Sequence, residues 1–115
     1  MPYMLLIVEA QGQRSTRSDA EGRAVYQRMV DYAQSLEARG VLLGVNSLKR
    51  ESARLVKRGG KVSVVDGPFT EAKEFIGGYF LLDCASFEQA RAHAEQCPAA
   101  EWATIEIREV GPCYS

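Results

Sequence analysis

Residues 66–74 (DGPFTEAKE) hold the densest group of side chains that could transfer protons or bind a ligand. Three carboxylates and one lysine, at Asp66, Glu71, Glu74 and Lys73, stand close enough in sequence to converge on one site. Two neighbouring carboxylates can act as acid and base when their surroundings push their pKa values apart. We therefore take Asp66 as the candidate catalytic residue, and Glu71 and Lys73 as candidate ligand-binding residues.

Asp66 also has a purely structural interpretation. Asp-Gly-Pro is a strong turn signal, because Asp bonds nearby backbone groups, Gly67 is conformationally free and Pro68 fixes φ. In that case the Asp66 carboxylate accepts N–H groups from the residues after it. The charges that follow Phe69 would then form a solvated helical turn with Thr70 as its cap. The sequence leaves both interpretations open and favours the turn.

A second candidate region is rich in positive charge and spans residues 50–61. Most of these cations are expected to be solvated, but a subset could steer an anionic ligand. Arg54 belongs to this region, and we add it and Tyr79 to the candidate ligand-binding residues. Gly59 and Gly60 predict a hairpin turn rather than a phosphate loop, because the G-x-x-x-x-G-K-S/T pattern is missing.

The sequence holds no motif for a metal or a cofactor, and we predict neither. His93 is the only histidine, and no second histidine or cysteine stands at ligand spacing from it. It falls beside the apolar face of its predicted helix, which favours a position near solvent. The three cysteines, Cys84, Cys97 and Cys113, lack C-x-x-C spacing and predict free thiols rather than a disulfide framework.

Length, charge and hydropathy narrow the class of protein. The 115 residues fit a single domain over residues 1–115. A net charge of −1 without a basic stripe argues against a nucleic-acid partner. The apolar run at residues 4–8 is too short for a signal peptide or a membrane span. We therefore expect a cytoplasmic protein with neither a nucleic-acid nor a membrane partner.

Hydrophobic periodicity predicts the elements that position these side chains. Serine followed three residues later by Glu or Gln, at Ser18 and Ser86, marks two helix starts as capping boxes. The order β-α-β-hairpin-β-α-β is the split βαβ, ferredoxin-like pattern with an extra β-hairpin, an α+β fold with an antiparallel sheet. The predicted strands are 2–9, 41–48, 52–57, 61–65, 75–84 and 103–108, and the predicted helices are 19–39 and 87–97.

The first and fifth predicted strands are apolar on both faces. In the first strand, Leu5 and Ile7 point to one face, and Met4 and Leu6 point to the other. In the fifth strand, apolar residues 79–82 alternate between the two faces in the same way. Two helices can cover only one face of the sheet. A second copy of the chain is the simplest cover for the other face, so the sequence predicts a homodimer.

Several motifs resemble one known family. The DGPF motif at 66–69, the E-x-K-E run at 71–74 and the GGY sequence at 77–79 are similar to the DGPF-motif branch of the YCII-related proteins. The resemblance extends over nearly the whole chain and implies a dimeric α+β barrel. Some relatives are proposed to use a His–Asp pair, with the histidine on the first helix. Residues 19–39 contain no histidine and Met29 stands at that place, so this pair is not transferred.

Two functions remain open at this stage. The first is a homodimer that binds a small molecule near the DGPF loop, in a pocket between sheet and helices, with acid–base chemistry of the isomerase or lyase kind. The alternative is a non-catalytic accessory or regulatory protein, because the resemblance implies genes placed beside extracytoplasmic-function sigma factors. An open cavity with convergent polar groups favours the first function, and a filled core favours the second.

Overall fold

The computed structural model describes residues 2–69 and 71–114, and its elements follow the predicted order. The predicted α+β class, with a ferredoxin-like arrangement, an antiparallel sheet and an extra hairpin, is confirmed. Two short 3-10 turns, Arg14–Thr16 and Pro98–Glu101, join some of the elements. The strands and helices are β1 (Pro2–Ala10), α1 (Asp19–Ala38), β2 (Leu42–Ser47), β3 (Ala53–Arg58), β4 (Lys61–Asp66), β5 (Glu74–Asp83), α2 (Phe87–Gln96) and β6 (Thr104–Glu109).

The main sheet has four antiparallel strands in the order β2-β5-β1-β6. The two strands that are apolar on both faces, β1 and β5, lie at its centre, as their sequences predicted. Leu5 stands opposite Phe80, and Leu6 opposite Tyr79. Strands β3 and β4 pair only with each other and form a separate two-stranded sheet among the described residues.

The predicted capping box at the start of α1 is present. The Ser18 hydroxyl accepts the Glu21 N–H at 3.1 Å, and the Glu21 carboxylate accepts the Ser18 N–H at 2.9 Å. The turn after the helix uses Gly40 at φ +73°, a left-handed conformation that glycine adopts without strain. Tyr32 and Leu36 are the buried residues of α1, and they fix its core-facing side.

Helix α2 departs from the expectation in two details. The Ser86 hydroxyl accepts the Gln89 N–H, but the Gln89 side chain bonds the N–H of Ala85 instead of Ser86, so the box is incomplete. Phe87, a large apolar residue of the predicted helix, is 46% exposed instead of packing in the core. It is the first helical residue, and helical side chains point toward the N-terminus, so its ring projects past the core.

The core fills the space between the two helices and one face of the main sheet. Leu5, Leu36 and Leu82 are fully buried there. The rings of Tyr32 and Phe80 meet edge to face with centroids 5.1 Å apart. The Tyr32 hydroxyl donates to the His93 carbonyl at 2.6 Å, which satisfies a polar group inside an apolar cluster.

The opposite face of the main sheet, formed at its centre by Met4, Leu6, Val8, Tyr79 and Leu81, carries no helix within the described residues; we call it the open sheet face. These five side chains are only partly buried, whereas their neighbours in β1 and β5 that point toward the helices are buried. The molecule is 19 Å thick along its shortest axis. That thickness corresponds to one helix layer on one sheet.

The β3–β4 hairpin, residues 53–66, extends away from this two-layer body, and we call it the arm. All of its residues are exposed. The predicted glycine turn is confirmed, because Gly59 and Gly60 have φ values of +55° and +78°, which suit a primed two-residue turn. The radius of gyration is 16.0 Å, against about 13 Å for a compact chain of this length. The projecting arm accounts for this difference.

No helix among the described residues is long and apolar enough to cross a membrane.

Candidate functional site

A cleft of about 530 Å³ opens on the open sheet face, where the arm joins the body. Its volume falls in the range of small-molecule sites, about 300–1,000 Å³. Val8 and Ile76 stand opposite each other in the β1–β5 register and form its floor. Two aromatic residues, Phe69 and Phe75, contribute to its walls.

The cleft does not occupy the expected position between sheet and helices. On that side Leu5, Leu36 and Leu82 fill the interior, and their complete burial leaves no room for a ligand beside them. The opposite face has no helix to fill it, so a concave surface remains where the arm leaves the sheet. The sequence analysis predicted a pocket between sheet and helices, and this prediction is wrong for the cleft.

The charged side chains of the cleft are mostly basic. Lys49, Arg50 and Arg54 contribute three positive charges, and Glu51 and Glu74 contribute two negative ones. The guanidinium carbon of Arg54 lies 3.8 Å from the centroid of the Phe69 ring, which is a cation–π contact. This contact places the positive charge of Arg54 directly against the Phe69 ring in the lining of the cleft.

The DGPF turn places Phe69 in this wall. The N–H of Gly67 donates to the carbonyl of Ser52, and the Gly67–Pro68 peptide is cis. A Cβ on Gly67 would lie 2.6 Å from the Ser52 hydroxyl oxygen and 2.8 Å from a Phe69 ring carbon, so a side chain there would displace the hydroxyl and the ring. The Gln11 side-chain amide donates to the Phe69 carbonyl at 3.2 Å. The motif therefore positions an aromatic ring in the cleft.

Asp66 itself lies at the root of the arm. It ends β4 opposite Ala53, which stands between the cleft residues Ser52 and Arg54. The Asp66 side chain is exposed and makes no hydrogen bond to any described residue, so the turn cap expected from the sequence is not seen. Asp66 therefore lies next to cleft residues in the strand ladder but is not one of the residues that line the cleft.

The other predicted site residues divide between the cleft and its surroundings. Arg54 lines the cleft, whereas Glu71 and Lys73 are exposed residues outside its lining. The Tyr79 hydroxyl lies on the open sheet face and accepts the Asn46 amide at 2.9 Å. The sequence analysis grouped residues that are close in the sequence, and the fold places some of them away from the cleft.

The segment after Phe69 also differs from the expected helical turn. The Ala72 N–H donates to the Phe69 carbonyl at 3.1 Å, which closes a single turn, and β5 begins at Glu74. Thr70, its predicted cap, lies outside the described residues. The strand starts immediately because the Lys73 carbonyl accepts the Gln11 N–H at 2.9 Å, next to the β1–β5 ladder.

A buried ion pair beneath the cleft was missed by the sequence analysis. Glu9 is 6% exposed, and its carboxylate accepts two hydrogen bonds from Arg14, at 2.9 and 2.7 Å. Arg14 also donates to the carbonyls of Leu48 and Gly77, at 2.8 and 3.2 Å. Its guanidinium carbon lies 5.0 Å from the Phe75 ring centroid. One arginine therefore joins the first loop to β5 and to two cleft residues.

A signal for this pair was present in the sequence. Glu9 continues the alternation of Leu5 and Ile7, so it occupies a core-facing position of β1. A carboxylate in such a position requires a cation or several hydrogen bonds, because burying an unpaired charge is costly. The adjacent polar loop contains Arg14. Gly77 completes the site, since any larger side chain there would overlap the Glu9 carboxylate.

The buried thiols are not reactive groups. Burial raises the pKa of Cys97 to about 11, and burial also raises the pKa of Cys84. Both therefore remain protonated near neutral pH and serve as small apolar side chains. Cys113 is exposed, and all three are free. The described residues hold no group of three or more side chains arranged as metal ligands.

One sequence relative and one structural neighbour match this chain. An uncharacterised protein of Rhizobium meliloti (strain 1021) is 39% identical over 59 residues, which are 50% of this chain and 48% of that protein. The match thus spans about half of the relative's length. The solved 5-chloro-2-hydroxyhydroquinone dehydrochlorinase of Burkholderia phenoliruptrix, in complex with 2,5-dihydroxybenzoquinone, has a TM-score of 0.58 over 96% of this chain and 94% of that chain. At 11% identity, this likeness shows the fold alone.

A match to a family profile over a longer part of the chain identifies the family. The sequence profile of the YCII-related domain matches residues 1–113, which is nearly the whole chain. It includes β1, the arm, the DGPF turn and β6, so the elements that build the cleft all fall within it. The chain therefore belongs to the YCII-related domain family.

Proposed function

We propose that this protein binds a small, planar, anionic molecule in the cleft and acts as a homodimer in which each copy covers the open sheet face of the other. The observation that carries the proposal is the contact of Arg54 with Phe69 in the cleft wall. Aromatic walls favour a flat ligand, and the surrounding cations favour a negative one. Lys49 and Arg50 add two further positive charges.

The ligand class receives support from the geometry of the cleft. Phe75 and Ile76 provide apolar surface, whereas the cations stand at the side where residues 48–54 enter the arm. A flat anion would lay its ring on the apolar surface and direct its charge toward the arginines, which bind carboxylates with two parallel hydrogen bonds. The structural neighbour of similar fold was solved with a flat quinone, which agrees with this ligand class.

Homodimer formation is supported by the open sheet face. Met4, Leu6 and Leu81 are partly exposed although they stand at the centre of the sheet. A buried aliphatic side chain contributes roughly 1.5–3 kcal/mol relative to an exposed one, so covering this face is favourable. A copy of the same face offers a matching apolar surface with two-fold symmetry. We also propose a cytoplasmic location, because three free cysteines suit a reducing compartment.

Our proposal is a binding function, and catalysis would need a proton-transfer group at the ligand. Asp66 is the candidate for that acid or base, since it borders the cleft at the root of the arm. The core between sheet and helices is filled, which is the outcome expected for the regulatory alternative, but the open cleft on the opposite face supports the binding function.

Thermal melting with defined probes tests the binding proposal. Benzoate and 2,5-dihydroxybenzoquinone are flat and acidic, and benzamide is the neutral control. A ligand at 100 times its dissociation constant stabilises the folded state by about 2.7 kcal/mol, which raises the melting temperature by several degrees. We expect this rise with the two anions and not with benzamide.

Two arginine variants sharpen the test. Arg54→Ala removes a cleft cation, and Arg58→Ala removes the same charge at the tip of the arm, outside the cleft. We expect the anion response to fall in the first variant and persist in the second. An equal response in both variants, or no response of the wild-type protein to any flat anion, contradicts the proposed site.

A further inference from the structure

The arm presents an apolar stripe that nothing in its own chain covers among the described residues. Leu55 and Val64 stand opposite each other, and Val62 stands two residues further along the same face. Their side chains are 64%, 57% and 59% exposed. An isolated two-stranded hairpin is marginally stable in water, so an arm of this kind is expected to dock on another surface.

The charge of the chain is divided between the arm and the body. The arm, residues 53–66, contains four Lys or Arg and one Asp, which gives +3. The whole chain has 14 basic and 15 acidic residues, so the remainder has 10 basic and 14 acidic residues and a charge of −4. A second copy therefore supplies both an apolar surface and an opposite charge for the arm.

We propose that the arm of each copy docks on the open sheet face of the other copy and closes the other copy's cleft. The two long dimensions of the molecule are 46 and 42 Å. A four-stranded sheet with ten-residue strands measures only about 34 by 20 Å, so the arm projects beyond its own sheet and is free to reach a neighbour. The cleft opens on that same face, and the docked arm supplies its missing side.

This inference rests on the proposed homodimer and adds a role for the arm. Each cleft is formed at the root of its own arm, where Ser52 and Arg54 stand, and is covered by the stripe of the partner's arm. Ligand binding and dimerisation are then coupled. A change in the stripe weakens ligand binding in the cleft, although Leu55 and Val64 are not part of the cleft lining.

Matched aspartate substitutions test the docked stripe. Val64→Asp places a charge on the stripe, whereas Ser63→Asp places the same charge on the opposite face of the same strand. Both positions are exposed in the single chain, so each variant is expected to fold, which far-UV circular dichroism checks. We expect Val64→Asp to raise the dimer dissociation constant at least about tenfold and to remove the benzoate response. Ser63→Asp should change neither.

Photocrosslinking identifies the surface that the stripe contacts. A variant with Val64→p-benzoylphenylalanine is mixed with isotope-labelled wild-type protein, irradiated and mapped by mass spectrometry. We expect crosslinks between labelled and unlabelled chains at peptides of β1 or β5. Crosslinks confined to one chain would overturn the inference.

The possible outcomes distinguish a failure of the docked arm from a failure of the proposed homodimer. A wild-type monomer at micromolar concentration, measured by light scattering, refutes the homodimer and the arm exchange together. A dimer that survives Val64→Asp without interchain crosslinks refutes only the arm exchange. Nucleic acid that co-purifies with the protein and is released by Lys57→Ala, without interchain crosslinks, would assign the basic arm to a nucleic acid and also overturn the inference.

Discussion

Replacing either member of the Glu9–Arg14 pair tests how the floor of the cleft is held. The Glu9 side chain is 8% exposed and that of Arg14 is 32% exposed, so the two residues are unequal in their access to water. Arg14→Ala leaves a buried carboxylate without its cation. Glu9→Gln leaves a guanidinium that still reaches water and still bonds the Leu48 and Gly77 carbonyls.

Because the two side chains differ in exposure, the two substitutions are expected to lower the free energy of unfolding by different amounts. Loss of one partner of a buried ion pair costs about 3–5 kcal/mol, and we expect Arg14→Ala to fall in that range. An unsatisfied polar group costs about 1–3 kcal/mol, and we expect Glu9→Gln to fall there. Arg23→Ala is the control, because its ion pair with Asp19 is exposed at both ends, and such pairs contribute less than about 1 kcal/mol.

Urea unfolding followed by circular dichroism measures these differences. All variants are compared at one protein concentration, because the stability of the proposed homodimer would depend on concentration. The double variant Glu9→Gln/Arg14→Ala should lose less stability than the sum of the single variants, because one interaction is removed in each. The reasoning is refuted if Arg14→Ala costs no more than Arg23→Ala, or if Glu9→Gln costs more than Arg14→Ala.

Three further predictions concern single residues elsewhere in the chain. Asp66→Asn and Asp66→Ala should both stay within about 0.5 kcal/mol of wild type in urea unfolding, because the carboxylate is exposed and makes no hydrogen bond to a described residue; loss of the benzoate response in both would assign it a ligand role. A thiol reagent at pH 8 should modify Cys113 in the folded protein, while Cys84 and Cys97 react only after unfolding, as mass spectrometry would detect; rapid labelling of either buried thiol contradicts this. Burial raises the pKa of Tyr32, so the fold favours its neutral form, and the stability that this provides is present below about pH 10 and lost as the pH rises further. Melting temperatures should therefore fall more steeply above pH 10 in wild type than in Tyr32→Phe.

The fold was predictable because its signals are local. Ser18 with Glu21 fixes where α1 begins, Gly59 with Gly60 fixes the hairpin turn, and alternation along β1 identifies a central strand. Each of these depends on residues a few positions apart. The order of the four strands then follows from the split βαβ pattern, in which β1 and β5 occupy the centre.

The candidate site was less predictable because it depends on distant residues. The contact of Arg54 with Phe69 joins the arm to the turn, and Arg14 reaches both Leu48 and Gly77. The hydrophobic periodicity of the sequence gives no information on contacts between such distant residues. The charged run after Phe69 looked like a site in the sequence, but the Glu71 and Lys73 side chains are exposed outside the cleft.

The structural and functional interpretations of the DGPF motif are not alternatives in this molecule. Gly67 permits the close approach to Ser52, and that approach sets the Phe69 ring in the cleft wall. The Glu9–Arg14 pair supports the second aromatic residue of the cleft lining, because the Arg14 guanidinium carbon lies 5.0 Å from the Phe75 ring centroid. Each aromatic residue of the lining therefore has a local contact that positions it. In the proposed binding function, this motif of turn-forming residues contributes through the ring that it positions, and its aspartate need not contact the ligand.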